Sequence, residues 1–189
     1  MNRRSFLAAT VLAPFAGALA AENNLRIRIG QIGTSHSHAA GKMGALRALS
    51  HLYEVVGIAE PIAGREAIAE KQKAYAGLNW LTEEALLSDS SVEAIVVETS
   101  LADSPRAAQA CLRAGKHIHL DKPGAASHAK FRALRLEAER RRLTVQMGYH
   151  GEFEDLARVL RGGLPLAWSA EHDITVHSTA LRCAGIEPD

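Results

Sequence analysis

Residues 25–38, Leu-Arg-Ile-Arg-Ile-Gly-Gln-Ile-Gly-Thr-Ser-His-Ser-His, decide the fold of this chain. The loosely alternating apolar residues up to Ile32 predict a first strand, and Gly33 predicts a tight turn after it. Residues 39–49 have the helical spacing of apolar residues, so the turn opens a helix. A strand that passes through a glycine turn into a helix presents backbone N–H groups and a positive helix terminus to an anion such as a diphosphate.

Further strands and helices alternate along the chain. Short apolar runs predict strands at residues 53–59, 92–97, 117–120 and 143–147. Helical spacing and capping signals predict helices over residues 62–74, from Thr82, over 104–115 and over 127–142. Strands that alternate with helices of this length predict right-handed crossovers and an α/β fold, a Rossmann-type doubly wound parallel sheet.

The first twenty residues read as an export signal. Arg3 and Arg4 precede an uncharged apolar stretch that ends in Ala18-Leu-Ala20, a pattern that favours the twin-arginine route. The alternative is a membrane anchor, but the stretch is shorter than the roughly twenty apolar residues that a span needs and contains Pro14. We therefore expect cleavage, a periplasmic protein and no stable membrane insertion.

The remaining composition is that of an ordinary globular domain. The 189 residues carry a net charge of +1, and no basic stripe indicates a nucleic-acid partner. We expect a dinucleotide-binding domain over residues 25–150 and a remnant of a second domain over 151–189. Cys111 and Cys183 could pair in an oxidising compartment, which the sequence leaves open, although the amphipathic helix around Cys111 favours a core position.

The glycine turn only partly follows the dinucleotide pattern G-x-G-x-x-G. Gly33 takes its first position, whereas Ser35 and His38 take the second and third. Glu60 ends the second predicted strand, where an acid can accept hydrogen bonds from a ribose 2′-OH and repel a 2′-phosphate. This arrangement favours NAD over NADP, the alternative being that Glu60 is an exposed turn residue before Pro61.

Five segments carry a resemblance to a known family. In chain order they are residues 29–38, Gly57-Ile-Ala-Glu-Pro61, Val96-Val-Glu-Thr99, Gly115-Lys-His-Ile-His-Leu-Asp-Lys-Pro123 and Val145-Gln-Met-Gly-Tyr149. Over residues 25–153 the chain resembles the N-terminal half of the glucose–fructose oxidoreductase, inositol dehydrogenase and rhizopine-catabolism (Gfo/Idh/MocA) family. The usual Glu-Lys-Pro of that family is Asp-Lys-Pro here.

The resemblance implies hydride transfer at a carbon of a sugar, polyol or related hydroxyl compound. It places Lys122 between nicotinamide and substrate, with Pro123 after a cis peptide; the alternative is a surface lysine after a strand. It also implies a second-domain crossover at Tyr149. The residues that it assigns to the cofactor are Gly33, Thr34, Ser35, His36, His38, Glu60, Glu98, Thr99, Asp121, Lys122 and Pro123.

The chain departs from the family after residue 150. Family members carry Arg-Phe or Arg-Tyr where this chain has Glu152-Phe153, and the second α+β domain is expected to be largely missing. Asp173 and His177 have the Asp-x-x-x-His spacing of a family helix in which the histidine is the acid–base group and the acid orients it. Chance similarity in an unrelated tail is the alternative.

Two histidine pairs could hold a metal by their period-2 spacing, His36-x-His38 and His117-x-His119. The first lies in the nucleotide turn and the second in a buried strand without a nearby third ligand, so we expect no metal site. Three functions stay open: an exported oxidoreductase that forms a homo-oligomer, a nucleotide-binding module without catalysis, and a non-enzymatic periplasmic binding protein. The glycine turn and Glu60 argue against the third.

Overall fold

The computed structural model describes residues 26–148, 153–162, 165, 169–183 and 185–187. Its centre is a six-stranded sheet in which every pairing is parallel. The strands are β1 (Ile27–Ile32), β2 (Tyr53–Ala59), β3 (Trp80–Leu81), β4 (Ala94–Val97), β5 (His117–Asp121) and β6 (Val145–Gly148). Their order across the sheet is β3-β2-β1-β4-β5-β6, so the predicted doubly wound fold is confirmed.

The direction of winding reverses between β1 and β4. Ile27 of β1 lies opposite Tyr53 on one side, and Ile29 lies opposite Ala94 on the other. The connections that leave the two strands therefore run in opposite directions and open a crevice at their carboxyl ends. In open α/β sheets this crevice is the usual place for a ligand.

Helices cover both faces of the sheet because its central strands are apolar on both sides. They are α1 (Ala39–Ala48), α2 (Glu66–Ala69), α3 (Glu83–Ser88), α4 (Ser104–Arg113), α5 (His128–Arg141), α6 (Phe153–Leu160) and α7 (Ala170–Cys183). Thr82 and Ser127 cap α3 and α5, each accepting a hydrogen bond from a first-turn amide. Among the described residues, no helix combines the length and the apolar character that crossing a membrane requires.

The prediction of one helix over residues 62–74 is wrong. Only the single turn α2 and a short 3-10 helix, Lys73–Tyr75, form there. Gly64 takes a positive φ of 76° before α2, and Gln72 is extended before the 3-10 helix, so the predicted helix is interrupted twice. Strand β3, at the sheet edge, was not predicted because two residues are too short to show a period.

The core forms on both sides of the sheet. Cys111 of α4 is buried among the apolar residues of β4 and α5, which confirms its predicted core position. On the other face, Phe153 of α6 packs beside Leu46 of α1 and Tyr53 of β2. Cys111 and the exposed Cys183 are both free in this structure, so no disulfide joins them.

Several expectations lie on residues that the structure does not describe. They are the export signal at residues 1–20, the crossover at Tyr149 and the departure from the family at Glu152. The expected domain limits therefore stay predictions. The helical placement of Asp173 and His177 is confirmed, since both lie in α7.

Candidate dinucleotide and acid–base site

The turn after β1 is held tightly against the strand beside it. Gly33 has a φ of 84°, and its N–H donates to the carbonyl of Ala59 at 2.8 Å. A Cβ at this position would lie 2.7 Å from Cγ2 of Thr99 and 2.9 Å from the carbonyl oxygen of Glu98. The position therefore needs glycine both for its backbone conformation and for space.

Glu60 fixes the same turn from the end of β2. Its Oε2 accepts hydrogen bonds from the backbone N–H of Thr34 at 2.7 Å and from the Thr34 hydroxyl at 2.6 Å. Its Oε1 accepts from the backbone N–H of Ile62 at 2.8 Å, while Arg65 donates to the carbonyl of Thr34. Glu60 is thus half-buried and hydrogen-bonded to the turn, rather than an exposed residue before Pro61.

The start of α1 suits an anion. The helix is ten residues long, and its N-cap residue, His38, makes no capping hydrogen bond with its side chain. The positive end of the helix faces the crevice between β1 and β4 without an acid in its first turn. These features fit the diphosphate of a dinucleotide, which the turn residues Thr34, Ser35 and His36 would flank.

A buried lysine joins α1 to the two neighbouring strand ends. Nζ of Lys42 lies 2.8 Å from Oε1 of Glu98 and 3.1 Å from Oδ2 of Asp121. The Lys42 side chain is 1% exposed and that of Glu98 is 0% exposed. Gly148 makes room for this lysine, because a Cβ there would overlap Nζ of Lys42 and the ring of His119.

Burial and nearby charges shift the pKa values of Glu98 and Asp121 in opposite directions. Burial raises the pKa of Glu98 to about 7, although Lys42 opposes the shift. Burial would also raise the pKa of Asp121, but Lys42, the backbone N–H of Lys122 and His36 together hold it below its ordinary value. Asp121 is therefore the more acidic group of the pair, and Glu98 the less acidic.

Two imidazoles of the turn converge on Asp121. Nδ1 of His36 lies 2.6 Å from Oδ2 of Asp121, and Nδ1 of His38 lies 3.0 Å from the same oxygen. Burial lowers the pKa of His36, although Asp121 raises it in part. Asp121 itself is fixed, since its Oδ1 accepts a hydrogen bond from the backbone N–H of Lys122 at 2.6 Å.

His119 of β5 adds a neutral imidazole to the cluster of Lys42 and Asp121. Its ring is fully buried and stacks on Phe153 with 4.5 Å between ring centroids. Burial, together with Lys42, lowers the pKa of His119 to about 3. The ring is therefore uncharged at neutral pH.

Lys122, Asp173 and His177 line one cavity of about 510 Å³ beside the end of β5. Lys122 is exposed at the strand end, and the Lys122–Pro123 peptide bond is cis, as the resemblance implies. The rest of the wall is mostly apolar, and it includes Leu101, Phe131, Met147, Val176 and Leu181.

The two residues of α7 are held by the helix beneath them. Asp173 forms a buried ion pair with Arg135 of α5 at 2.9 Å. The His177 ring stacks on Phe131 with 4.2 Å between centroids, and burial together with His128 lowers its pKa. Asp173 thus anchors α7 to α5, while His177 is a neutral ring against the cavity wall.

The predicted residues fall into two groups around β5. The turn, Glu60, Glu98, Thr99 and Asp121 lie together at the crevice, whereas Lys122, Pro123, Asp173 and His177 line the cavity. Glu98 is fully buried and lies behind Lys42 rather than at the surface of the crevice. Its role in cofactor binding, like the roles of the other site residues, stays a prediction.

Lys42 is the site residue that sequence reasoning missed. Ala39, Lys42, Met43 and Leu46 are the buried residues of α1 and follow the spacing i, i+3, i+4, i+7. The lysine therefore occupies the apolar face of an amphipathic helix, a position that signals a buried partner.

The fold and this site define a Rossmann-type dinucleotide-binding domain. The profile described as oxidoreductase family, NAD-binding Rossmann fold, matches residues 27–149. The chain therefore belongs to the Gfo/Idh/MocA oxidoreductase family.

Solved structures show the same fold. An NAD-binding protein from Listeria innocua is 25% identical with a TM-score of 0.54, and the match covers 65% of this chain and 34% of that one. An NAD binding oxidoreductase from Klebsiella pneumoniae is 19% identical with a TM-score of 0.57, covering 73% and 39%. UDP-N-acetylglucosamine 3-dehydrogenase from Acidithiobacillus ferrooxidans is 21% identical with a TM-score of 0.53, covering 72% and 43%. This chain thus matches less than half the length of each, and among curated proteins none matches it.

Proposed function

We propose that this protein is an NAD-dependent oxidoreductase that transfers hydride from a hydroxyl-bearing carbon of a sugar, polyol or related small molecule. The observation that carries the proposal is the cavity that Lys122, Asp173 and His177 share, since the residues that follow β5 and those of α7 meet there. The crevice for the dinucleotide opens on the other side of β5, at the end of β1. The dinucleotide and the substrate would then both bind at the carboxyl edge of the sheet.

NAD, when bound, accepts the hydride. The Lys122 ammonium is placed to donate a hydrogen bond to the substrate hydroxyl oxygen and to stabilise the negative charge that develops on it as the proton leaves. The uncharged imidazole of His177 can accept that proton across the cavity. The C–H bond electrons leave as hydride, the O–H proton goes to the base, and a carbonyl product remains.

The alternative is a nucleotide-binding module without catalysis. It is favoured by the mostly apolar wall of the cavity, which offers few hydrogen-bond partners to a sugar, and by the pairing of Asp173 with Arg135. A module of this kind would bind NAD through the turn and Glu60 but would reduce none of it.

We further propose that the protein acts in the periplasm after export by the twin-arginine route. The proposal is supported by the basic head and apolar stretch of residues 1–20. This route carries folded proteins, which suits a protein that takes up a cytoplasmic dinucleotide before leaving. Association into a homo-oligomer remains part of the same proposal.

Replacing Lys122 with Met is expected to lower kcat/KM for NAD reduction by about 100-fold or more, with NAD affinity little changed. The loss follows because Met can neither donate a hydrogen bond to the substrate hydroxyl nor stabilise its developing charge. NADH fluorescence with a panel of polyols and sugars, alongside calorimetric titration of NAD, measures the two quantities.

Lys130→Met is the matched control, because Lys130 is an exposed lysine on α5 that does not line the cavity. Equal losses in the two variants would contradict the role of Lys122. NAD binding without reduction by any member of the panel would instead support the module.

Replacing Glu60 with Gln is expected to raise the affinity for NADP relative to NAD by about tenfold. The variant removes the negative charge that would face a 2′-phosphate but keeps an oxygen that can accept the hydrogen bonds of Thr34. Calorimetric titration with each dinucleotide measures the ratio. Glu66→Gln, at an exposed position on α2, is the control, and an unchanged NADP/NAD ratio in Glu60→Gln would show that Glu60 does not face the ribose.

A further inference from the structure

The glycine turn has Ser35 and His38 where the dinucleotide pattern has its second and third glycines. Beside this turn, three atoms that can bind a metal lie close together. Nδ1 of His36, Nδ1 of His38 and a carboxylate oxygen of Asp121 lie within 4.8 Å of one another. The two rings stand 4.9 Å apart at an interplanar angle of 65°, so they meet the carboxylate from different directions. Two histidines two residues apart on a turn and an acid from the next strand end are a ligand set of three.

Both rings share one carboxylate oxygen of Asp121. Both Nδ1 atoms lie at hydrogen-bond distance from one carboxylate oxygen, 2.6 Å for His36 and 3.0 Å for His38. A neutral ring can donate to that oxygen from a protonated Nδ1, and Nδ1 of His36 also lies 3.3 Å from the backbone N–H of His38, which donates to it. A bound cation would take the place of any proton between the rings and the carboxylate. A tetrahedral ion with bonds near 2.0 Å separates its ligand atoms by roughly 3.3 Å, so the His36–Asp121 distance would open by about 0.7 Å and the His38–Asp121 distance by about 0.3 Å.

The ligands combine a rigid acid with accessible rings. Asp121 is buried at the end of β5 and is fixed through its other oxygen by the backbone N–H of Lys122. The side chains of His36 and His38 are 23% and 28% exposed, so an ion can enter from solvent. Because the carboxylate is already held in position, less conformational entropy is lost when an ion binds to it and to the two partly exposed imidazoles.

The charges nearby also accommodate a divalent ion. Lys42 is one cation between the carboxyl groups of Glu98 and Asp121, so the group carries at most one net negative charge when the imidazoles are neutral. Lys42 keeps its closer contact with Glu98 if Asp121 turns its charge to an ion. Two imidazole nitrogens and one carboxylate oxygen are ligands that zinc and its neighbours prefer, and three protein ligands leave one position open.

We propose that His36, His38 and Asp121 bind a divalent ion of the zinc class at the mouth of the crevice. Three other histidines make different contacts. Nδ1 of His117 accepts the backbone N–H of Thr144 at 3.0 Å, and the rings of His128 and His177 stack. The proposal goes beyond hydride transfer and does not depend on it, since the ion site is complete without a dinucleotide.

The test uses the full chain, freed of metal with a chelator and then titrated with zinc by calorimetry and with Co²⁺ by visible absorption. We expect one ion per chain and the intense absorption bands of tetrahedral Co²⁺. His36→Ala and His38→Ala are each expected to weaken zinc binding by at least about 10–100-fold. Both rings are partly exposed, so both variants are expected to fold, which thermal unfolding monitored by circular dichroism verifies.

His51→Ala is the matched control, because His51 is an exposed histidine outside the cluster. Its zinc affinity is expected to equal that of the unaltered protein. A folded protein that takes up no ion, or one whose affinity is unchanged by His36→Ala and His38→Ala, would overturn the proposal. The dinucleotide titrations measure NAD binding separately.

Discussion

Replacing Lys42 with Met is expected to lower the free energy of unfolding by about 3–5 kcal/mol. The lysine is 1% exposed and is the cation beside Glu98 and Asp121 at the end of the sheet. Removing it leaves the Asp121 carboxylate and the Glu98 carboxyl group buried without their cation, which costs far more than the packing of a similar apolar side chain returns. Urea denaturation at neutral pH, followed by circular dichroism, measures the loss.

Two further variants separate charge from packing. Lys116→Met removes another buried lysine, but Nζ of Lys116 donates to the backbone carbonyls of Asp89 and Val92 rather than to acids. We expect a smaller loss of about 1–2 kcal/mol there. The double variant Lys42→Met/Glu98→Gln is expected to be at least about 1 kcal/mol more stable than the sum of its single changes predicts.

The outcome at these positions decides whether the buried charges act as a unit. Equal losses for Lys42→Met and Lys116→Met would contradict the charge argument. Strict additivity in the double variant would do so as well, because it would show that Glu98 does not depend on Lys42. Since burial raises the pKa of Glu98 to about 7, loss of Lys42 should raise it further and leave Glu98 protonated at neutral pH.

Replacing Gly33 with Ala is expected to abolish measurable NAD binding and to destabilise the fold. Its φ of 84° costs an alanine about 1–3 kcal/mol. The added Cβ would also meet backbone atoms of Glu98 and Thr99 at 2.9 Å, which cannot move without shifting the end of β4. The turn that presents the start of α1 to the dinucleotide would then lose its position.

Gly115→Ala is the control for backbone strain alone. Gly115 also has a positive φ, 74°, but a Cβ there would meet no atom within 4 Å. We expect it to lose some stability and to keep its NAD affinity. Thermal unfolding and calorimetric titration of both variants give the comparison, and an NAD affinity for Gly33→Ala close to that of Gly115→Ala would rule out the proposed turn.

Local patterns were enough to predict most of the sheet. The apolar runs of β1, β2, β4, β5 and β6 are each visible within a few residues, and the Thr82 cap at the start of α3 follows from one hydroxyl before two acids. The pattern failed over residues 62–74, where Gly64 takes a positive φ and Gln72 is extended, so that only two short helical turns form. Apolar spacing alone does not show such interruptions.

For the candidate site too, the sequence predicted some features and only the structure shows others. The family resemblance pointed to Lys122 and Glu60, and the structure places one on a cavity and the other on the glycine turn. It could not show that Glu60 clamps Thr34, or that Asp173 pairs with Arg135 on α5. These partners lie 26 and 38 residues away along the chain, and their contacts exist only once helices and strands are packed.

The sequence by itself determined the class of fold, the glycine turn and the family, because each rests on short motifs whose residues are close together along the chain. Only the tertiary structure decided what surrounds Asp121. Lys42, His36 and His38 reach it from α1 and the preceding turn, roughly eighty residues earlier in the chain, because parallel strands bring their carboxyl ends to one edge. The charge of a buried group depends on such neighbours, and no local pattern encodes them.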